Sequence, residues 1–430
     1  MGDDIPSHGA NGPVASHRHA DADKSSAASR RKVLFISQQC PWPKNSGGNI
    51  RSYFIAKHLS DLADVTLICT SPSDNEKLEA KSELLTFCAD VQFVDGEKSK
   101  TTLGYVATLA RSFVRGSPAF IEHNRFDQLA QAVENLLQQH SFDWVHLNHV
   151  DTLPYVEIDD DVPVVLDTHN LNWEYYVRRA EHTSNPVMSA LFSRDARLLK
   201  AYEHKAFARA KSVLVCSENE YHKVKSLDSS INVTVVPNGV DCDEYRPFEG
   251  DAFDNEPEII FIGDMGYAPN HDGVLEFINK VLPTVQSSVP DAKFTVVGRS
   301  PAQSLVDLVR NRSDVEITGF VEDVAPFLDK AKVFVVPLRF GAGTRLKILQ
   351  AFSSGLPTVA TSIGAEGIEY NHGEDILIAD DSVEMAKAVC SLLSDKEVYN
   401  SIRTNCREKA LEKYDWNVVA RQLAESISTL

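Results

Sequence analysis

Positive charge is what this sequence is short of. It sets 43 lysines and arginines against 61 acidic residues, for a formal net charge of -18. Phosphate-tracking proteins need clustered Lys and Arg, so the chain shows no footprint for nucleic acid and no polybasic membrane anchor. A local basic groove inside the acidic chain stays compatible with this. No apolar run approaches the roughly 20 residues that span a bilayer. The N-terminus also lacks the charged, apolar and small-residue order of a signal peptide. Paired cysteines are missing too. Cys40, Cys69, Cys88, Cys216, Cys242, Cys390 and Cys406 are odd in number and never spaced as C-x-x-C, which reads as free thiols in a reducing compartment. Cys69 and Cys216 sit in the apolar runs "VTLICT" and "SVLVCS" and read as small buried hydrophobes. A cytoplasmic protein is expected.

What is present is an ordinary globular composition, 43% hydrophobic and 24% charged over 430 residues. At roughly 150 residues per domain, that length suggests two or three domains. Residues 1–31 are polar, rich in Ala, Ser and Asp, and without periodicity, so a disordered tail is expected, its His8, His17 and His19 solvated. The first ordered run, "KVLFIS", is an apolar strand. A turn-rich loop follows, then "IRSYFIAKHLSDLA" with apolar positions at helical spacing, then the strand "DVTLIC". That is a βαβ unit, and strands apolar on both faces imply a covered parallel sheet. "VQFVD", "DWVHLN", "VPVVLDTHN", "KSVLVCS" and "NVTVVPNGVD" continue it, with one long helical region from about Asn172 to Ala210.

After the acidic stretch "RPFEGDAFDNEPE" the pattern starts afresh with "IIFIGDMGYAPNHDG", "KFTVVG", "VEITGF", "KVFVVPL", "PTVAT" and "DILIA". The expected architecture is α/β, two tandem Rossmann-like lobes facing across a central cleft. Residues 32–240 form the first lobe, residues 241–414 the second, and the amphipathic segment 415–430 packs back on the first. Function then belongs in the loops after strands, where such folds bind ligands.

Two glycine-bearing turns stand out. In "RFGAGTRLKILQAFSSGLPTVAT" a glycine turn opens a short helix whose spacing from Thr344 places Leu346, Leu349 and Phe352 on a buried face and Lys347, Gln350 and Ser354 on the other. Free N–H groups, the helix dipole and the charges of Arg345 and Lys347 make this end an anion site, or else a solvated first turn. No G-K-[ST] follows, and "GAGTRL" lacks the third glycine of a dinucleotide fingerprint, which argues against a P-loop and a dehydrogenase. The second turn, "KNSGGNIRS", carries Gly47 and Gly48 ahead of a helix starting near Asn49, and is either a ligand contact or a tight turn.

Three histidines flank strand ends in the first half. His146 lies within a strand pattern and reads as a core histidine. His169 follows an apolar strand and is the best candidate for a polar catalytic role. His149 completes the group. None has a carboxylate or cysteine at convincing ligand spacing, and Asp159 to Asp161 and Asp241 with Asp243 read as turns, so no metal site is expected.

Taken together, "PWPKNSGGNIRSYFIAKHL", "VVLDTHNLNWE", "VPNGVDCDEYRP", "FIGDMGYAPNHDGV", "EITGFVEDV" and "PLRFGAGTRLKILQAFSSGLPTVATSIGAEGI" resemble glycosyltransferase family 4. These are retaining enzymes of the two-lobed GT-B fold that use nucleotide-diphosphate sugars without a metal or other cofactor. The resemblance implies that Gly47 and Gly48 meet the donor diphosphate and that His169 reaches the transferred sugar. It implies that the helix opening at Gly343, with Thr344 and Leu346, holds the donor phosphates beside Arg345 and Lys347, near Gly263. Gly319, Phe320 and Val321 would lie near the base. Where the family often has two glutamates seven residues apart, this chain has Ala342 and Gln350. Gln350 keeps the capacity to bind ribose hydroxyls through its amide. The loop "FIGDMGYAPNHDG" offers Asn270 and His271 where many relatives carry an Arg and a Lys, leaving Arg299, Arg345 and Lys347 to supply positive charge.

The expected activity is sugar transfer to a hydroxyl acceptor, on a glycan, a lipid-linked chain or a small molecule. Acceptor contacts are expected from the segment Thr102 to His140, with Arg111, Arg115 and Arg125, and peripheral contact with membrane lipid is compatible with it. No partner protein is identifiable. Two other readings remain open: a degenerate transferase kept as a binding or assembly subunit, given Ala342 and Gln350, and a sugar-nucleotide epimerase, which needs a carboxylate pair that the sequence does not offer.

Overall fold

The computed structural model describes residues 30–96, 102–156, 162–341, 343–428 and 430. The expected tail up to residue 29 with its three histidines, the Asp159 to Asp161 cluster and Ala342 lie outside the described residues. Arg31–Leu430 form one unit.

The apolar runs of the first half become β1 (Lys32–Ser37), β2 (Asp64–Thr70), β3 (Asp90–Val94), β4 (Trp144–Asn148), β5 (Val164–Asp167), β6 (Ser212–Val215) and β7 (Val233–Val235). They form a seven-stranded sheet in the order β3-β2-β1-β4-β5-β6-β7, every pairing parallel. Alternation decides which face each side chain serves. Val33 and Phe35 of β1 enter one apolar cluster, and Leu34 and Ile36 the opposite one, as the two-residue period of a strand requires.

The second half repeats the plan with β8 (Glu258–Ile262), β9 (Lys293–Val297), β10 (Val315–Gly319), β11 (Val333–Val336), β12 (Thr358–Ala360) and β13 (Leu377–Ile378). Their order is β10-β9-β8-β11-β12-β13, with a single core of its own. This is the two-lobed, Rossmann-like GT-B architecture. In each sheet the order reverses beside the lobe's first strand, and that switch opens a crevice at the carboxyl ends of the strands.

The helix Trp416–Ile427 lies on the first sheet, adding Trp416, Val419, Leu423 and Ile427 to its core. The Trp416 indole stacks on Phe54 at 4.6 Å and 11°. A methyl on Gly239 would fall 2.5 Å from that indole, so only glycine admits it. Truncating Trp416 to Ala would cost about 3–5 kcal/mol.

The helical region read as continuous from Asn172 to Ala210 is two helices, Asn172–His182 and Pro186–Arg209. Pro186 lacks a backbone N–H and starts the second, while Asn185 caps it by accepting from the N–H groups of Val187 and Met188.

Candidate active site

Strand register builds the floor of the site. Ser37 at the end of β1 stands opposite Asn148 of β4, and Asn148 opposite Asp167 of β5. Three polar side chains thus lie abreast at the carboxyl ends, where the strand order reverses. A cavity of about 510 Å³ opens there, lined from both lobes. Gly47, Gly48, Asn148 and His169 come from the first lobe, and Tyr267, Gly343, Thr344 and Leu346 from the second.

His169 is placed by its neighbours' hydrogen bonds. Ser37 and Ser52 spend their own hydroxyl hydrogens on Gln39 O and Gly48 O. Their oxygens therefore accept from Asn148 Nδ2, at 2.9 and 2.8 Å. Asn148 Oδ1 is left to accept from His169 Nε2 at 2.9 Å, which fixes the tautomer with Nδ1 unprotonated. A methyl on Gly48 would lie 3.6 Å from that Nδ1, so the acceptor nitrogen faces the glycine turn. Burial, with the charge of His149 next, holds the imidazole down to about 3, leaving it neutral at physiological pH.

Beneath it lies a buried ion pair that the sequence reading passed over. Arg51 Nη2 meets Asp167 Oδ1 at 2.6 Å, and Arg51 also donates to Val236 O, Pro237 O and Asn238 Oδ1. Burial alone would raise the Asp167 carboxyl; the Arg51 guanidinium, with help from His146, pulls it far below the usual range. A signal was present: Arg51 lies one turn past Gly47, next to the apolar Ile50 and the run Tyr53 to Ala56, and Asp167 ends a strand whose other residues are all apolar. His146 is a core residue as read, stacked on Phe35 at 4.9 Å and 7°. His149 takes an unusual positive φ of 82°. Burial lowers its imidazole, but Asp151, 3.4 Å away, outweighs that and raises it.

The glycines of the first turn are not in a loop before the helix. They are its first two residues, in Gly47–Ser60, because Ser46 caps it by accepting from Asn49 N. Facing them is the second-lobe helix Leu346–Ser353. It starts two residues later than the spacing suggested, since Arg345 at its cap has ψ of 88°. Leu346 was expected on the buried face. It lines the cavity instead, with its Cδ1 3.1 Å from where a Gly47 methyl would sit. Gly343 makes the turn at φ of 88°, a conformation that favours glycine.

Lys347, read from spacing as an anion-site charge or else part of a solvated first turn, points inward. Its ammonium lies 3.1 Å from Asn270 Oδ1 and 4.2 Å from the Phe261 ring centroid. Asn270 is held in turn, donating to Asp264 O at 2.9 Å. A methyl on Gly263 would fall 2.7 Å from both Lys347 Nζ and Asn270 Nδ2, so glycine at the end of β8 is what admits the lysine. Burial, then the charge of Arg345, pushes Lys347 well below its usual range, and no ion pair to Lys347 forms among the described residues. Arg345 is buried as well, beside the Tyr267 hydroxyl, and lowered by that burial. The Thr344 Oγ1 atom is buried with no hydrogen-bond partner among the described residues.

Arg345, Lys347 and Gly263 are not among the residues that line the cavity, and the remaining candidates lie apart from it as well. Arg299 is half exposed and bonded to Asp264 at 2.8 Å, so its charge is already matched. Gly319 takes φ of 73°, Phe320 is exposed, and Val321 packs at the edge of the second core. Gln350 donates from Nε2 to Tyr245 Oη at 2.9 Å. Asp241 accepts from the N–H groups of Asp243 and Glu244, a turn as read. The lobes are tied beside the cleft by Arg178, which donates to Gly341 O and pairs with Glu366. All seven cysteines are free, and among the described residues no helix is long and apolar enough to cross a membrane.

Two family models match the chain: Glycosyltransferase Family 4 over residues 45–244 and Glycosyl transferases group 1 over residues 256–395. An uncharacterised 44.6 kDa protein in the cps region of Klebsiella pneumoniae is 25% identical over 89% of this chain and 96% of its own length. A UDP-Gal:alpha-D-GlcNAc-diphosphoundecaprenol alpha-1,3-galactosyltransferase of Escherichia coli is 25% identical over 50% of this chain and 59% of its own. A phosphatidyl-myo-inositol mannosyltransferase of Mycobacterium leprae is 26% identical over 45% and 53%. The match therefore spans little more than half of either transferase. Among solved structures, sucrose-phosphate synthase of Thermosynechococcus elongatus superposes with a TM-score of 0.67 at 17% identity, covering 93% of this chain and 99% of that one. Anabaena HepE in complex with UDP gives 0.64 at 17% identity, covering 93% and 100%. At that identity the likeness is one of fold.

Proposed function

For a chain that belongs to the family 4 and group 1 glycosyltransferases, we propose transfer of a hexose from a nucleoside-diphosphate sugar to a hydroxyl acceptor, with retention at the anomeric carbon and without a metal. The observation that carries the donor assignment is Lys347, desolvated and with no ion pair among the described residues, next to the buried Arg345 and to a Thr344 hydroxyl with no hydrogen-bond partner among the described residues, at the opening of a helix. An amine desolvated there without a counter-charge holds its proton best when an anion arrives, so a site that places Lys347 there is adapted to an incoming anion. Gly47 and Gly48 allow the diphosphate to approach the first-turn N–H groups of the facing helix.

In this reading the bond from anomeric carbon to diphosphate oxygen breaks, and negative charge builds on the leaving group. Arg345, Lys347 and the helix end stabilise it. The bond to the acceptor oxygen forms on the same face of the sugar, and the acceptor proton passes to the departing phosphate. His169, neutral with Nδ1 turned to the glycine turn, orients a sugar hydroxyl by accepting its hydrogen. Gln350 and Tyr245 are proposed to meet the ribose. The acceptor side is the first-lobe part of the cavity, with Phe120, Asp151 and Tyr176.

The test is calorimetry with nucleoside diphosphates and their sugars, followed by product analysis across an acceptor panel by anomeric NMR. Binding followed by α-linked product from an α-linked donor is expected. Inverted product would overturn retention, and undiminished turnover after exhaustive chelation is expected of a metal-independent enzyme. Tight donor binding with no turnover on any acceptor would favour the binding-subunit reading.

A further inference from the structure

The helix Thr102–Arg115 is built inside out. Its polar residues Thr108 and Ser112 are buried, while Val106, Phe113 and Val114 are 56%, 55% and 88% exposed. At 3.6 residues per turn, Phe113, Val106, Ala110, Val114 and Ala107 share one outward arc, with Arg111 and Arg115 at its edge. Ala107, Ala110 and both arginines are exposed. The inward face is fixed by polar contacts: Ser112 donates to Ser117 O at 2.7 Å and accepts from Arg194 at 2.9 Å. The outward apolar face is therefore the stable state of this helix.

We infer that this face docks on an anionic lipid surface. An exposed apolar arc edged by arginine is the pattern of a helix lying in a membrane interface. In a chain with 61 acidic residues this helix has none. Arg111 has no ion-pair partner among the described residues, whereas Arg115 is paired with Glu122, and Arg194, whose guanidinium lies 4.0 Å from the Phe113 ring, with Asp195, so Arg111 carries the unmatched positive charge of this edge. Net negative charge over the rest of the chain repels an anionic surface and so orients the molecule with this face toward it. A second copy docking by the same face would set like cations against each other. The helix also leads through Gly116 to the segment Ala119–His123, whose Phe120 lines the cavity. Docking here brings the acceptor side of the cleft to the lipid headgroups. The inference rests on the proposed function only for that last step.

The experiment is co-sedimentation of the full chain with sucrose-loaded vesicles, either phosphatidylcholine alone or mixed with phosphatidylglycerol. Wild type is expected to pellet with the anionic vesicles, less with the neutral ones, and less as salt is raised. The triple substitution Val106→Ser, Phe113→Ser, Val114→Ser is expected to weaken partitioning about tenfold or more. Arg111→Gln should weaken it roughly fivefold, the equivalent of about 1 kcal/mol for one surface cation. If the triple variant proves unfolded by its melting curve, Arg111→Gln decides alone. Wild type remaining in the supernatant would overturn the inference, as would variants that bind equally well, or a wild-type dimer that the triple variant dissociates. None of these measurements reads sugar transfer, so this inference and the donor assignment fail separately.

Discussion

His169 donates through Nε2 to Asn148 Oδ1 at 2.9 Å, and Asn148 is locked in that orientation by its own bonds to Ser37 and Ser52. Asn148→Ala frees the imidazole to turn. We expect kcat to fall up to about tenfold, the value of one hydrogen bond, with donor affinity within about twofold of wild type. Asn148→Asp places a carboxylate against Nε2, which favours the imidazolium and raises a group now held at about 3. A new limb in the pH profile of kcat is the expected signature. An unchanged profile would show that His169 does not sense position 148.

Lys347→Gln and Arg345→Ala each remove a cation from the helix opening. A charge-assisted hydrogen bond is worth about 1.5–3 kcal/mol, so each variant should bind a nucleoside diphosphate about ten- to a hundredfold more weakly. Arg299→Ala, whose charge is matched by Asp264, should change affinity far less. Calorimetry on the three variants ranks them, and a larger loss at Arg299 would reverse the assignment.

Donor binding should take up a proton. Lys347 sits below its ordinary range in the free protein, from burial and from Arg345, and an arriving diphosphate favours the charged form and raises it. Affinity is then full below the free-state pKa and declines as pH rises through the window between free and bound values. Binding heats in buffers of differing ionisation enthalpy measure that uptake directly, and Lys347→Gln should abolish it.

Gln350 donates to the Tyr245 hydroxyl. Gln350→Glu keeps the pair, because the hydroxyl reverses and donates to the carboxylate. Donor affinity should hold or improve. Tyr245→Phe leaves the amide without its partner and should weaken binding by about 1 kcal/mol, up to about fivefold. A loss at Gln350→Glu as severe as at Arg345→Ala would argue that the residue does not face the ribose.

Arg51 and Asp167 are best tested on stability. Arg51→Met leaves a carboxylate buried and unpaired, at a cost of about 3–5 kcal/mol. Arg51→Met with Asp167→Leu removes both charges and should recover most of it, read as a denaturation midpoint. Asp167 lies below its unfolded value of 3.8, so the stability it contributes is present above that pH and is lost on acidification.

Much of the fold was legible because parallel strands covered on both faces are nearly unbroken apolar runs, as β1, β6, β8 and β11 are, while polar residues interrupt the outer strands β3 and β10. Helix ends were less legible. The Leu346 helix starts after the expected Thr344 because Arg345 keeps a non-helical backbone, and the long helical region breaks at Asn185 and Pro186 because a cap and a proline start a new helix.

What the sequence determined by itself is the doubled βαβ grammar, the two glycine-bearing turns and the position of His169 just beyond a strand, since local periodicity and backbone permissiveness dictate all three. Only the tertiary structure decided which partners those residues meet. Register set Ser37, Asn148 and Asp167 abreast, and the hydrogen-bond count among them chose the tautomer of His169. Packing between Gly263 and Asn270 decided that Lys347 points inward rather than to solvent, and contact with Gly47 set Leu346 at the cleft rather than in the core. The reason is that helical spacing orders side chains around an axis, but which side of that axis faces the cleft depends on contacts between residues far apart in the chain.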